Sequence, residues 1–129
     1  MENKIKEQVK KLNLEKKVIF LGTTDKVEDY LQVMDIFPFP TRFEGLGIVA
    51  IEAQAAALKV IASDKVPKEA KISDYLEYFS LEKNSKEWAK TILEYRNGYE
   101  RKNMVKEIEK AGYSIQNSAK ELEKIYNHL

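Results

Sequence analysis

The chain alternates short apolar runs with segments of helical periodicity. Ile5, Val9 and Leu12 recur at spacings of four and three, which predicts a helix near the start. The run Val18, Ile19, Phe20, Leu21 stops at Gly22 and reads as a buried strand. Asp25 with Glu28 three residues on has the form of a capping box, opening a helix with Val27, Tyr30, Leu31 and Met34 on one face. A second apolar run, Ile36 to Phe39, follows Asp35; Pro38 and Pro40 lack N–H donors and keep that strand short. From Ile48 to Leu58 the only polar members are Glu52 and Gln54, so the pattern predicts a helix apolar on every side and therefore buried.

Val60, Ile61 and Ala62, within Lys59 to Ser63, form the next strand-like run, closing at Asp64 and Pro67. In 68–83 the apolar positions Ile72, Leu76, Phe79 and Leu81 fit neither period cleanly. Asn84 with Glu87 is a second capping box, for a helix with Trp88, Ile92 and Tyr95 inward and Gly98 as its stop; a further helix runs to Gly112. Ser114 then caps the clearest amphipathic stripe, Ile115, Ala119, Leu122, Tyr126 and Leu129. Strands alternating with helices predict α/β architecture: one parallel, Rossmann-like sheet with helices on both faces, and a helix-rich end over 84–129. Ligands in such sheets bind at the carboxyl ends of strands, beside helix N-termini.

A chain of 129 residues is the length of one domain, and 43% hydrophobic residues with only five Gly and three Pro exclude a disordered or fibrous class. Lys and Arg number 22 against 21 Asp and Glu, so no global field draws the chain to nucleic acid, which is not expected as a partner. The absence of Cys excludes disulfides, thiolate catalysis and Cys-ligated zinc. The first residues are charged and no apolar stretch reaches the length of a transmembrane segment; the expected location is cytoplasmic.

The chemistry gathers where the second predicted strand meets the buried helix, at Phe43, Glu44, Gly45, Leu46 and Gly47. Small residues there admit a ligand to the backbone, and the unpaired N–H groups of a first helical turn suit a phosphate. A lone G-x-G is equally what a plain strand-to-helix turn looks like. Glu52 sharpens the reading, because a carboxylate inside an apolar helix needs either a cationic partner or a cleft to face. Glu44 and Glu52 then flank the amides, one from the loop and one from the helix, as a phosphate between two sets of hydroxyls would require.

Glu44 and Glu52 are separated by seven residues in F-E-G-L-G-I-V-A-I-E-A-Q-A-A-A-L-K-V-I-A-S-D, which resembles the E-x7-E signature of retaining glycosyltransferases with the two-domain GT-B fold. More narrowly it is similar to the large bacterial family that uses nucleotide-sugar donors to build capsule, exopolysaccharide and lipopolysaccharide glycans. The likeness runs from about residue 5 to the end, through V-I-F-L-G, D-I-F-P-F-P and A-K-E-L-E-K-I-Y, and thins over 65–83. It implies that Glu44 is the catalytic-site carboxylate and meets donor-sugar hydroxyls. The amides of Gly45, Leu46, Gly47 and Ile48 would hold the diphosphate and Glu52 the ribose, with Gly22, Thr23 and Thr24 near the base. No metal or other cofactor is implied, the nucleotide-diphosphate sugar being a substrate. Arg42, next to the site, would supply positive charge.

Two departures from the family pattern stand out. Where the family commonly reads Ala-Gly-Leu-Pro, this chain has Ala57, Leu58 and Lys59, so the helix stop is expected to change and the following turn to loosen. Against the family's donor domain, residues 1–129 read as a single partial, incomplete GT-B C-terminal domain, lacking two strands, their cationic clamp and the acceptor-binding domain. The chain alone is accordingly expected to be an inactive donor-binding part, peripheral at the inner membrane only within a complete enzyme. Without the two strands, 18–21 and 36–39 are expected to close up as direct parallel neighbours in a chain that self-associates as a homo-oligomer. The reading from another class is a non-catalytic interaction or remnant protein of the same fold. His128, two residues from the end, reads as a surface residue, and Trp88, Tyr95 and Tyr126 read as core packing rather than sugar platforms.

Overall fold

The computed structural model describes residues 2–128. It is α/β: α1 Glu2–Lys11, α2 Val27–Val33, β1 Ile36–Phe39, α3 Ile48–Ala55, β2 Lys59–Ser63, a 3-10 turn Lys68–Ala70, β3 Leu76–Phe79, α4 Ser85–Leu93, α5 Val105–Lys110 and α6 Ile115–Asn127. The sheet has three strands in the order β1-β2-β3, all parallel, with Ile36 opposite Lys59 and Val60 opposite Leu76.

Parallel pairing requires a crossover, and α3 supplies the one between β1 and β2. Val60, Ile61 and Ala62 are all fully buried. Successive strand side chains point to opposite faces, so the central strand is covered on both. Leu31 of α2, Ala50, Ile51 and Ala53 of α3, and Val60, Ala62 and Leu76 of the sheet form one core.

The run 18–21 is not a strand. It follows two tight turns, Lys17 N and Val18 N both donating to Leu14 O, and Ile19 is left 82% exposed. The ladder of β1 is with β2 alone. An apolar run becomes a strand only where a neighbouring strand accepts its backbone hydrogen bonds, and no strand among the described residues does so for 18–21. The expected closure onto 36–39 therefore does not occur.

The expected box at Asp25 and Glu28 is also absent. The N-cap of α2 is Lys26, and Thr24 Oγ1 instead accepts from Lys26 N at 3.0 Å. At α4 the predicted box is present in full: Asn84 Oδ1 accepts from Lys86 N and Glu87 N, and Glu87 Oε2 accepts from Asn84 N. The Asn84 N–H first, and Lys83 second, hold the Glu87 carboxyl below the usual carboxylate range. The Glu87 half of the cap therefore contributes fully above the ordinary carboxylate pKa and weakens as acid protonates Glu87, while the bonds accepted by Asn84 Oδ1 remain. Ser114 caps α6 as expected, accepting from Asn117 N at 3.4 Å.

No residue of α6 is buried; Ile115 and Leu122 are exposed and Tyr126 is 68% exposed, so Tyr126 is not core. Periodicity specifies a stripe on a helix, whereas burial requires a surface to receive it. Leu129, the last member of the stripe, lies outside the described residues. Trp88 does pack inward, with its ring edge-on to Phe79 at 5.2 Å and Nε1 donating to Ser80 O.

The turn after α3 keeps its form without glycine. Leu58 N donates to Ala53 O and Ala57 N to Gln54 O, both at 2.9 Å, the two bonds of a Schellman stop. Ala57 sits at φ +52, in the left-handed region where its Cβ is strained. The expected loosening does not occur, because the paired bonds and the buried Leu58 hold the turn. Ala57→Gly is expected to raise stability by about 0.5–1 kcal/mol, the relief of left-handed strain less the entropy of a glycine. Urea unfolding checks it; an unchanged or lower midpoint would mean Ala57 is unstrained.

Candidate functional site

Phe39 ends β1 with its ring stacked on Phe37 at 5.5 Å between centroids, and the chain then turns through residues 40–47 into α3. Two hydroxyls shape this loop. Thr41 Oγ1 donates to Phe43 O at 2.8 Å, and Ser63 Oγ, at the carboxyl end of β2, donates to Thr41 O at 2.5 Å. Ser63 is fully buried, so its bond ties the ends of the two strands together where water cannot compete.

Gly47 makes the entry to α3. It is the N-cap, at φ +78 and ψ 47, and it is buried. A Cβ placed there would lie 3.3 Å from Glu44 Cγ, 3.4 Å from Val66 Cγ1 and 3.8 Å from Phe39 Cε1, so only glycine fits without displacing a neighbour. Its carbonyl accepts from Ala50 N and Ile51 N. The N–H groups of residues 45–49 have no acceptor among the described residues. They form a run of free donors at the positive end of an eight-residue helix, beside the carboxyl ends of parallel strands.

The structure brings Glu44 and Gly47 together over Val66, with Gly45, Leu46 and Ile48 around them; Leu46 and Ile48 are open to solvent. Glu52 differs from its expected setting. It is exposed, because Ile48, Glu52 and Ala55 form the outer face of α3 while Ala50, Ile51, Ala53 and Gln54 form the inner one. The helix is thus half-buried rather than buried all round, and no ion pair among the described residues involves Glu52. Arg42 is exposed and pairs with neither carboxylate. Gly22 and Thr23 are exposed, and no hydrogen bond joins residues 22–24 to the loop. Residues 37–58 line none of three of the best-formed cavities, and Arg42, Phe43, Gly45, Leu46 and Ile48 are all exposed, which makes the site an open shelf at the strand ends. Among the described residues no three His, Cys, Asp or Glu cluster as metal ligands.

Gln54 is the polar residue that α3 buries. Its Nε2 donates to Ala50 O at 2.9 Å and Ala70 O at 2.7 Å, while Oε1 accepts from Ile72 N, Ser73 N and Ser73 Oγ, each at 3.1 Å. Both ends of the amide are thus engaged and fix its orientation. Gln54 staples 70–73 to α3 and so positions the approach to β3. The sequence signal was an uncharged amide two residues after Glu52 in the same apolar helix.

A parallel sheet whose strand ends meet a glycine-turned helix with free amides defines an α/β domain of the class in which ligands bind at strand ends and anions suit helix N-termini. Comparison with known proteins agrees with that class and narrows it. The family description "Glycosyl transferases group 1" matches residues 1–114, and the chain belongs to this family. It is 31% identical over 126 residues to "Putative glycosyltransferase EpsF" of Bacillus subtilis, covering 95% of this chain and 33% of that protein. It is 35% identical over 63 residues to "Lipopolysaccharide core biosynthesis mannosyltransferase LpsB" of Rhizobium meliloti, covering 49% of this chain and 18% of that protein. A third relative, an "N-acetylgalactosamine-N,N'-diacetylbacillosaminyl-diphospho-undecaprenol 4-alpha-N-acetylgalactosaminyltransferase" of Campylobacter jejuni, is 38% identical over 56 residues, 43% of this chain and 15% of its own length. The chain therefore spans a third or less of these relatives. No solved structure matches it significantly. No helix among the described residues is long and apolar enough to cross a membrane.

Proposed function

We propose that this chain is the donor-binding part of a retaining, GT-B-type glycosyltransferase that takes a nucleotide-diphosphate sugar and contributes to surface polysaccharide synthesis. The observation that carries the reading is the run of free N–H groups at residues 45–49, at the Gly47 entry to α3 and between Glu44 and Glu52 along the chain. The amides and the helix dipole meet the diphosphate, whose charge needs donors that cost no reorganisation. Glu44, on the sheet side of the turn, accepts from hydroxyls of the donor sugar. Glu52, exposed on the outer face one turn along, accepts from the ribose, and Arg42 adds a cation at the mouth. Gly22 to Thr24 stay assigned to the base. The names of the relatives, which include a lipopolysaccharide mannosyltransferase, support the polysaccharide role. The acceptor and the rest of the catalytic apparatus belong to a further domain or subunit.

Glu52→Gln is expected to weaken nucleoside diphosphate binding about tenfold or more, since a charge-assisted hydrogen bond contributes about 1.5–3 kcal/mol. Stability should not change, because the side chain is exposed and unpaired. Ligand-observed NMR with uridine and guanosine diphosphates, beside urea unfolding, makes the test. Unaltered binding would remove the ribose role. Silence of the unmodified chain across the panel would favour the second reading, a non-catalytic interaction protein. The exposed stripe Ile115, Leu122 and Ile125 of α6 would then be its contact surface, and self-association its first expected behaviour.

A further inference from the structure

At the amino-terminal ends of β2 and β3 lies a cavity of about 450 Å³, in the size range of small-molecule sites. Lys59 opens β2 and lines it, whereas Ser63 closes that strand at the loop described above; four steps of strand separate the two places by roughly 13 Å. Its walls include Tyr75, Tyr95 and Tyr99, with centroids 6.1 Å apart for Tyr75 and Tyr99 and 6.0 Å for Tyr95 and Tyr99. Each hydroxyl is already engaged: Tyr75 donates to Glu100 O, Tyr95 to Glu77 Oε2 and Tyr99 to Asp35 O, all at 2.8 Å. Tyr75 Oη also accepts from Lys102 N, and Tyr99 Oη from Lys59 N. The rings are therefore anchored in advance, and what they offer a ligand is aromatic surface rather than hydroxyl groups.

The charges lining the cavity decide what can rest on that surface. The Lys59 ammonium donates to Asp74 O at 3.1 Å, lies 3.5 Å from Glu77 Oε2 and sits 4.8 Å from the Tyr95 ring centroid. An added cation would compete with Lys59 for that ring. Lys102 pairs with Glu100 at 3.7 Å. The carboxylates of Asp74 and Glu107 have no ion-pair partner among the described residues, and an added anion would meet both. A neutral ligand avoids both penalties if it has hydroxyls to donate to the two carboxylates and a C–H face to lie on the rings. A pyranose ring has both. We propose that this cavity is a carbohydrate site for a neutral pyranoside, distinct from the donor shelf at the opposite ends of the strands. It stands or falls apart from the donor reading.

The test is a two-dimensional NMR titration of the 129-residue chain with the methyl glycosides of glucose, galactose and N-acetylglucosamine, and separately with arginine amide and inorganic phosphate. At least one glycoside should give saturable shifts at the amides of residues 74, 75, 95, 99 and 107. Asp74→Asn and Glu107→Ala, both exposed and outside the core, should each weaken that binding about tenfold or more, the loss of one charge-assisted hydrogen bond. Glu52→Gln should leave it unchanged. The proposal is overturned by no saturable shift from any glycoside, by glycoside shifts confined to residues 41–52, by tighter binding of arginine amide or phosphate at this cavity, or by an affinity in both variants equal to that of the parent chain.

Discussion

Replacing Gln54 by alanine is expected to lower the stability of the chain by about 3–5 kcal/mol, the range for a truncated buried side chain that leaves polar partners unmet. The amide is fully buried, and its removal strands Ala70 O together with the N–H groups of Ile72 and Ser73. A loss of that size consumes much of the ~5–15 kcal/mol that holds a domain folded. Gln54→Glu gives a sharper test. Oε1 would keep its three donors, but the second carboxylate oxygen would face the carbonyls of Ala50 and Ala70, which have nothing to donate. Only the protonated acid restores a donor there, so its folded pKa must rise above the unfolded value. The native state then binds more protons, and the variant is most stable in acid and loses stability as pH increases through the raised value. Urea midpoints near pH 4 and pH 7, below and well above the ordinary glutamate value of about 4.3, compared with the parent at the same pH, would show it. A variant equally stable at both would mean that α3 and residues 70–73 are not held by this amide.

Gly47→Val is expected to cost about 2–4 kcal/mol and to abolish nucleoside diphosphate binding, since a β-branched residue is forced into the left-handed region at the turn that aims the free amides. Glu44 Cγ could swing away from the new Cβ, but Val66 and Phe39 belong to the core and its margin and cannot follow. Gly45 is the control. A Cβ there meets nothing within 4 Å and its φ is not in the positive range, so Gly45→Ala should leave stability within about 0.5 kcal/mol of the parent. It would nevertheless intrude where a phosphate is proposed to lie. Loss of binding with unchanged unfolding in Gly45→Ala, measured by calorimetry and urea titration, is the expected result; full binding in Gly47→Val would remove the loop from the site.

Much of the fold was legible because it rests on local patterns. The box at Asn84 and Glu87 and the cap at Ser114 involve partners two or three residues away, and both are present. The runs at Ile36–Phe39 and Lys59–Ser63 are strands as read, and the segment 68–83, unreadable by periodicity, contains β3 because its pairing with β2 overrides local spacing. The site was legible in part for the same reason. Gly45, Gly47 and the following helix are contiguous, so a turn with free amides follows from order along the chain. Glu52 was singled out because a carboxylate in a helix apolar on every side needs a cationic partner or a cleft to face; the helix is apolar on its inner face only, Glu52 lies on the outer face, and Gln54 carries the buried polar role.

By itself, then, the sequence determined which segments can be helix or strand, where α4 and α6 start, and that a glycine-turned amide cluster precedes α3, since each follows from neighbours a few residues apart. Only the tertiary structure decided that Val18 to Leu21 finds no strand to pair with and that the stripe of α6 meets no surface. It alone placed Glu52 outside and Gln54 inside, and it alone brought Lys59, Tyr75 and Tyr99 around one cavity. Burial and pairing are properties of two surfaces, and a periodic pattern describes only one of them.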